Sequence, residues 1–290
     1  MSIVAVDVGA TKVRIASFRN RRVENKKIYS ISTYGDPVKI IESYVNELGG
    51  AHKIGIASAG PLDVKRGSAR LLNFGNLEVN CVERLGRLAR IYVANDCVAG
   101  LLAEHKLGAA RGSQNAVYVT FSTGIGAGVM VDGHFLLGKD GNAHEVGHLV
   151  LNFDDDIKCG CGGTGHWEAY CGGKNMPAFY EKLTGSTVSS SGEIFTLYRN
   201  GDQKTVEFME KCMRINAAGI ASIINAYDPE IVVLGGSVYL NNSEVFDKML
   251  SKYIAQYVMN RPPAIVSASF GEAAVIYGAG LLAAMNGKLP

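Results

Sequence analysis

Short apolar runs, separated by polar turns that carry glycine, recur along the chain and set its expected elements. Residues 3–6 (Ile-Val-Ala-Val) read as a buried strand, 7–12 as a polar turn, and 13–18 as a second strand with partial alternation. The turn therefore joins strand to strand, whereas a P-loop or a dinucleotide fingerprint runs from strand to helix. The same pattern returns as a strand at 116–121, a turn at 122–128 and a strand at 129–131. Two hairpins with hydroxyl and glycine at their tips, one in each half, point to an internal duplication. Elsewhere, strands at 54–57, 91–94 and 231–234 alternate with helices at 38–48, 82–89, 96–107, 205–227 and 273–284. Asp36 and Pro37 suit the start of the first of these helices, and Asp228-Pro229 stops the long one. Strands alternating with helices predict two α/β lobes. Residues 1–115 with the closing segment 273–290 form the smaller expected lobe, and 116–272 the larger.

A chain of 290 residues is long enough for two such lobes, each with its own core. Its net charge of +2 offers no electrostatic case for a nucleic-acid or membrane partner. Asp7 interrupts the apolar stretch at the N-terminus, so no secretory signal is read there. The longest apolar run, 273–285, is too short and too rich in glycine to span a bilayer. A cytoplasmic setting is expected, in which the six cysteines are reduced, metal-bound or buried. Cys159 and Cys161 read as ligands, Cys81, Cys97 and Cys212 as small core residues, and Cys171 as either.

Candidate chemistry concentrates at Cys159-Gly-Cys161-Gly-Gly-Thr-Gly-His166-Trp-Glu168, shortly after Glu145 and His148. Thiolate and imidazole donors at this spacing suit a closed, tetrahedral and structural zinc site, made by His148, Cys159, Cys161 and His166. The plain alternative is a reduced Cys loop beside an unrelated histidine. His144-Glu-Val-Gly-His148 matches the zinc-peptidase motif in form, but Gly147 disfavours a helix and a strand-like apolar run follows. Gly160 to Gly165 matches G-x-G-x-x-G, yet no strand precedes it. On the first hairpin, Asp7 and Thr11 could orient Mg²⁺-bound phosphates. The backbone N–H groups at Gly9, Gly124 and Gly126 could cradle phosphate oxygens, or these glycines simply serve tight turns. Gly235 and Gly236 end a strand where a flat ring could lie against backbone. Asn95-Asp96 opens a helix after a strand, so Asp96 is either its cap or a general base at a strand's carboxyl end.

Together these motifs resemble the ROK family of sugar kinases, in the actin–hexokinase ATPase superfamily. Asp7-Val-Gly-Ala-Thr11-Lys12 resembles that family's first phosphate loop and Ser122 to Gly128 its second. Ala59 to Asp63 and Asn73 to Leu77 resemble sugar-facing loops, Asn95-Asp96 the catalytic pair, Glu145-Val-Gly-His148 the Glu-x-Gly-His motif, and Cys159 to Glu168 the zinc signature. Gly271 to Gly280 resembles the C-terminal signature. The resemblance implies two actin-like (ribonuclease H-like) lobes with an interlobe cleft. It implies transfer of the ATP γ-phosphoryl, with Mg²⁺, to a hexose hydroxyl, O6 first. Asp96 would be the base, and Asn76, Asn95, Asp96, Glu145, His148 and Glu168 would hold the sugar. Asp7, Gly9, Thr11, Lys12, Thr123, Gly124, Gly126, Gly235 and Gly236 would hold nucleotide and metal. Glucose is the first expected substrate, with N-acetylmannosamine and fructose behind it. A sugar-responsive regulator without turnover is the reading from another class. A homodimer or higher homo-oligomer is implied as well. One departure stands out: the family usually carries a third cysteine where this chain has His166.

Overall fold

Valine and isoleucine alternate with small residues to build the first sheet of the computed structural model, which describes residues 2–9, 11–63, 66–71, 77–154 and 156–290. Its strands are β1 (Ile3–Val8), β2 (Lys12–Arg19), β3 (Arg22–Ser30), β4 (Lys53–Ser58) and β8 (Arg90–Asn95), in the order β3-β2-β1-β4-β8. β1 runs antiparallel to β2 and parallel to β4, and β4 runs parallel to β8. Between β4 and β8 in the chain, β5 (Leu62–Asp63), β6 (Ser68–Leu71) and β7 (Leu77–Asn80) form a small antiparallel sheet. A second five-stranded sheet contains β9 (Ala116–Phe121), β10 (Ile125–Val131), β11 (His134–Phe135), β12 (Ile231–Gly235) and β13 (Ala264–Ser267), in the order β11-β10-β9-β12-β13. Numbered within each sheet, both orders are 3-2-1-4-5. The duplication suggested by the two hairpins is therefore present in the topology.

The helices are α1 (Ile31–Tyr34), α2 (Pro37–Glu47), α3 (Cys81–Leu85), α4 (Asp96–Leu107), α5 (Trp167–Cys171), α6 (Met176–Thr184), α7 (Ser191–Arg199), α8 (Gln203–Tyr227), α9 (Ser237–Leu240), α10 (Ser243–Tyr253) and α11 (Ala274–Ala284). Among the described residues, no helix is long and apolar enough to cross a membrane. The cap expected for α2 forms: Asp36 Oδ1 accepts from Val38 N at 2.9 Å, with Pro37 at the first position. The segment expected as a helix over 82–89 closes after Leu85, where Gly86 takes over as the C-cap.

Two compact units divide the chain: Met1–Tyr118 with Gly128–His144 and Ala268–Pro290, and Val119–Ala127 with Glu145–Ser267. Residues 128–144, which the sequence reading places in the larger lobe, group with the first unit. The first unit's core joins sheet residues such as Val4, Val6, Ile15, Ile54 and Ile56 to Val38, Ile41 and Tyr44 of α2. α11 packs on both α4 and the sheet through glycine. A buried carboxylate secures the turn that leads into α11: Glu104 accepts from Ala109 N at 2.8 Å and from Phe270 N at 3.0 Å. The second unit's core is aromatic, with Phe121 set 5.7 Å from Trp167 and 5.1 Å from Phe246 between ring centroids.

A Cβ at Gly278 would lie 1.8 Å from the Ala99 carbonyl oxygen and 2.3 Å from its carbon, both backbone atoms of α4. Neither can rotate away, so the α4–α11 pair must separate to admit a methyl group. Gly278→Ala is expected to cost about 3 kcal/mol and to lower the melting temperature by roughly 6–12 °C. A thermal melt followed by circular dichroism checks this; an unchanged midpoint rules out so close an approach of the two helices.

Candidate metal centre and active-site residues

Two backbone segments bring the soft donors together. Trp167 N donates to Leu149 O at 2.9 Å, and Val150 pairs with His166 in an isolated antiparallel bridge. This lays the segment after His148, which forms an isolated bridge and not the strand its apolar run suggests, beside the end of the cysteine loop. Within the loop, Cys159 N donates to Gly163 O at 2.8 Å and Gly162 N to Cys159 O at 2.9 Å, so Cys159 and Cys161 lie on one tight turn. His148 sits at the end of a 3₁₀ turn over Val146–His148, not on an α-helix shared with His144. The peptidase reading of that motif thus has no structural basis.

One ligating atom from each of His148, Cys159, Cys161 and His166 lies within 4.8 Å of the others. Cys161 Sγ is 3.3 Å from His166 Nδ1, and the two imidazoles meet edge to face at 5.1 Å. Bond lengths of about 2.0–2.3 Å to one central zinc would span roughly this separation, so a small inward closure of these side chains fits the ion. The donor set, two thiols and two imidazoles, suits zinc. Hydrogen bonding to Cys159 and then to Glu145, whose Oε2 is 3.3 Å from Nδ1, holds the His148 imidazole protonated, with its pKa raised to about 11. Burial, with His148 beside it, lowers the pKa of His166.

Glu168 stands next to this group, on the first turn of α5 and buried. Its Oε2 accepts from Ile125 N at 2.8 Å, and its Oε1 is 3.8 Å from Cys159 Sγ. Burial raises its pKa, opposed by the Ile125 N–H and by His148. A Cβ at Gly124 would meet Glu168 Oε2 at 2.1 Å. This glycine, read from the sequence as part of a phosphate turn, leaves room for the Glu168 carboxylate where it now sits. β10 already begins at Ile125, so Gly126 is a strand residue, while Thr123 lies in the tight turn before it. The turn expected over 122–128 is shorter because Ile125, Ala127 and Val129 are buried and extend the strand.

On the first hairpin, the strands run further into the expected turn: Asp7 pairs with Arg14 and Val8 with Val13, and Gly9 N donates to Lys12 O at 2.9 Å. Thr11 and Lys12 are exposed. Asp7 is buried, and burial raises its pKa against the opposing pull of Arg14, whose Nη1 lies 2.9 Å from Oδ2. Arg14 also reaches Glu272 at 3.6 Å. Arg14 carries no motif of its own, although the length of a tight hairpin sets it opposite Asp7. Gly235 ends β12, and Gly236 has φ +85°, with a would-be Cβ 2.3 Å from Phe121 O. Its close approach to β9 is thus a sufficient reason for glycine.

Asn95 and Asp96 belong to the first unit, whereas Glu145, His148 and Glu168 belong to the second. The cap of α4 is Asn95: its Oδ1 accepts from Cys97 N at 2.8 Å and from Val98 N at 3.4 Å. Asp96 is the first helical residue and half-buried, with Oδ1 also 2.8 Å from Cys97 N. Asn76 lies outside the described residues. Cys171, which the sequence left open, is buried on α5 and is not one of the four clustered donors.

A profile of the ROK family matches residues 3–286. The chain belongs to the ROK family. It is 43% identical to the glucokinase of Pyrobaculum calidifontis over 79% of this chain and 78% of that protein. With the glucokinase of Aeropyrum pernix it shares 36% identity, over 98% of this chain and 97% of that one. The solved structure of the ROK hexokinase from Thermus thermophilus superposes with a TM-score of 0.82, at 32% identity and 99% coverage of each chain. The fold is thus the actin-like α/β fold of ROK hexokinases.

Proposed function

We propose that this ROK-family chain is an ATP-dependent sugar kinase that transfers the γ-phosphoryl of Mg-ATP to a hydroxyl of glucose, at O6. The observation that carries the reading is its identity with two relatives named glucokinase, one of them matched over nearly its whole length. Site chemistry supports it. Phosphoryl transfer needs positioned oxygens and charge stabilisation more than covalent help from the protein. Asp96, at the carboxyl end of β8, accepts the proton of the attacking hydroxyl. Glu145, His148 and Glu168 hold sugar hydroxyls, with Asn95 and Asn76. Asp7, kept in place by Arg14, and Thr11 and Thr123 orient phosphates and Mg²⁺; Gly9, Lys12, Gly124, Gly126, Gly235 and Gly236 line the nucleotide side.

His148, Cys159, Cys161 and His166 would hold zinc, which supplies a cross-link for the loop and no reaction chemistry. The loop then fixes His148 and Glu168, the two sugar ligands that adjoin it. A homo-oligomeric state is part of the same proposal.

ADP release measured by a coupled assay across glucose, N-acetylglucosamine, N-acetylmannosamine and fructose tests the reading. The value of kcat/KM for glucose should exceed each of the others by about tenfold or more, because a site built to hydrogen-bond every hydroxyl rejects altered sugars. Preference for another sugar overturns the substrate. Sugar binding without ADP release overturns the kinase reading in favour of a regulator.

A further inference from the structure

Helices α5 and α8 meet along one stripe. Cys212, Asn216 and Gly219 recur at i, i+4 and i+7 on α8 and so share a face. Opposite them stand Trp167 and Cys171 of α5. Trp167 Nε1 donates to Asn216 Oδ1 at 2.8 Å, and a Cβ at Gly219 would lie 2.5 Å from the indole, so the ring rests on the backbone of α8. One turn earlier on α8, Cys212 Sγ is 3.5 Å from Cys171 Sγ. The Cys171 thiol also donates to the Cys212 carbonyl oxygen at 3.4 Å. Both cysteines are fully buried. Neither belongs to the metal cluster, and neither has a place in the proposed reaction.

We propose that Cys171 and Cys212 form a latent disulfide site, closed by exchange with a small organic disulfide, that staples α5 to α8. The two sulfurs already touch, and side-chain rotation with a slight helix shift takes them from 3.5 Å to the bonded distance of about 2.05 Å. One cysteine loses its proton and its thiolate attacks the small disulfide. That disulfide's S–S bond breaks, a mixed disulfide forms, and one small thiolate leaves and takes up the proton. The second cysteine, deprotonated in turn, attacks the protein sulfur of the mixed disulfide and releases the second small thiol. Two protein thiols are oxidised and one small disulfide is reduced to two thiols.

Burial pushes the Cys171 thiol well above its ordinary range, so it is a poor nucleophile while packed, and neither sulfur is reachable from solvent. Exchange therefore proceeds through transient opening of α5 from α8, and warming accelerates it. Once closed, the bond joins positions 41 residues apart in sequence. A cross-link over a loop of this length stabilises the fold chiefly by restricting the unfolded chain.

The test uses the intact, purified chain, independently of its catalytic activity. It is warmed with oxidised glutathione below its melting temperature, its remaining thiols are alkylated in denaturant, and it is digested with trypsin. Expected are an intact chain lighter by two hydrogens before alkylation and, after digestion, Cys212 cross-linked to the peptide that holds Cys171, with fragmentation placing the bond on Cys171. The bridged protein should melt roughly 5–10 °C above its reduced form, and Cys212→Ala should abolish that difference. Comparing wild type with and without reductant gives the same readout if the variant folds poorly. Cys171 and Cys212 both recovered in alkylated form, a bridge mapped to Cys159 or Cys161, or a bridged protein that melts no higher would each overturn the proposal.

Discussion

Replacing Asp96 with asparagine is expected to lower kcat about 10²–10⁴-fold and to change the stability of the chain by less than about 1 kcal/mol. Two roles for Asp96 are open on the sequence alone, since an acid that follows a strand and opens a helix is a good cap and a well-placed base. The structure gives the cap proper to its neighbour. The cap of α4 is Asn95, whose Oδ1 accepts from Cys97 N and Val98 N. Asp96 adds a second acceptor to Cys97 N and a negative charge at the positive end of the helix. The substituted amide would keep an acceptor oxygen for Cys97 N and lose the charge term, which is small at a half-exposed helix end. As a base it would fail, because a neutral amide cannot take the hydroxyl proton. Sugar affinity should fall far less than kcat, since the amide still hydrogen-bonds the hydroxyl. Measuring kcat beside the melting temperature decides the matter. If kcat stays within a few-fold of the parent, Asp96 only supports the helix and the proposed mechanism fails.

Much of this architecture was legible because its signals are local. Apolar runs and tight turns mark β1-β2 and β9-β10, Asp36-Pro37 marks the start of α2, and a long amphipathic repeat marks α8. β3 was not legible: its sequence, Arg-Val-Glu-Asn-Lys-Lys-Ile-Tyr-Ser, is mostly exposed and carries four charged side chains in nine residues. Charges protect an edge strand from pairing with other chains, and they also remove the apolar pattern that would reveal it. α7 was hidden for a different reason, since the serine-rich run that caps it at Ser190 reads as a loop. β13 follows Pro262-Pro263, which points equally to a turn.

The site divides in the same way. The four metal-type donors fall between 148 and 166, so their spacing alone suggested the cluster. Arg14 required the hairpin register, and the pairing of Asp7 with Arg14 supplies it. The glycines were the least readable. A sequence cannot distinguish a glycine that admits phosphate from one that admits a neighbouring side chain, and Gly124 admits Glu168. The contact between Cys171 and Cys212 spans 41 residues and exists only once α5 lies on α8.

Removing the proposed zinc should be the second change with a large effect. Purified protein is expected to carry close to one zinc per chain, and Cys161→Ser to lose it. The reason lies in how little apolar burial holds the loop, which is otherwise tied by backbone hydrogen bonds. Leu149, Val150 and Phe153 are exposed, with Phe153 at 87% relative exposure, so apolar burial contributes little there. The backbone bridges Val150–His166 and Lys158–Thr164 are isolated pairs, not ladders. Ligation at His148, Cys159, Cys161 and His166 would then add a strong restraint on the loop, and loss of the proposed metal would be a loss of local folding. Without zinc, His148 holds a proton up to about pH 11 through Cys159 and Glu145. Zinc must displace that proton to bind, so affinity should weaken as the pH falls. Cys161→Ser should lower the melting temperature and reduce kcat/KM by roughly 100-fold, because His148 and Glu168 adjoin the loop that melts. Chelation of the parent protein should reproduce both changes, and added zinc should reverse them in the parent but not in the variant. Parent protein that contains no zinc yet keeps its full melting temperature and turnover would leave the cluster a set of reduced side chains with no structural ion.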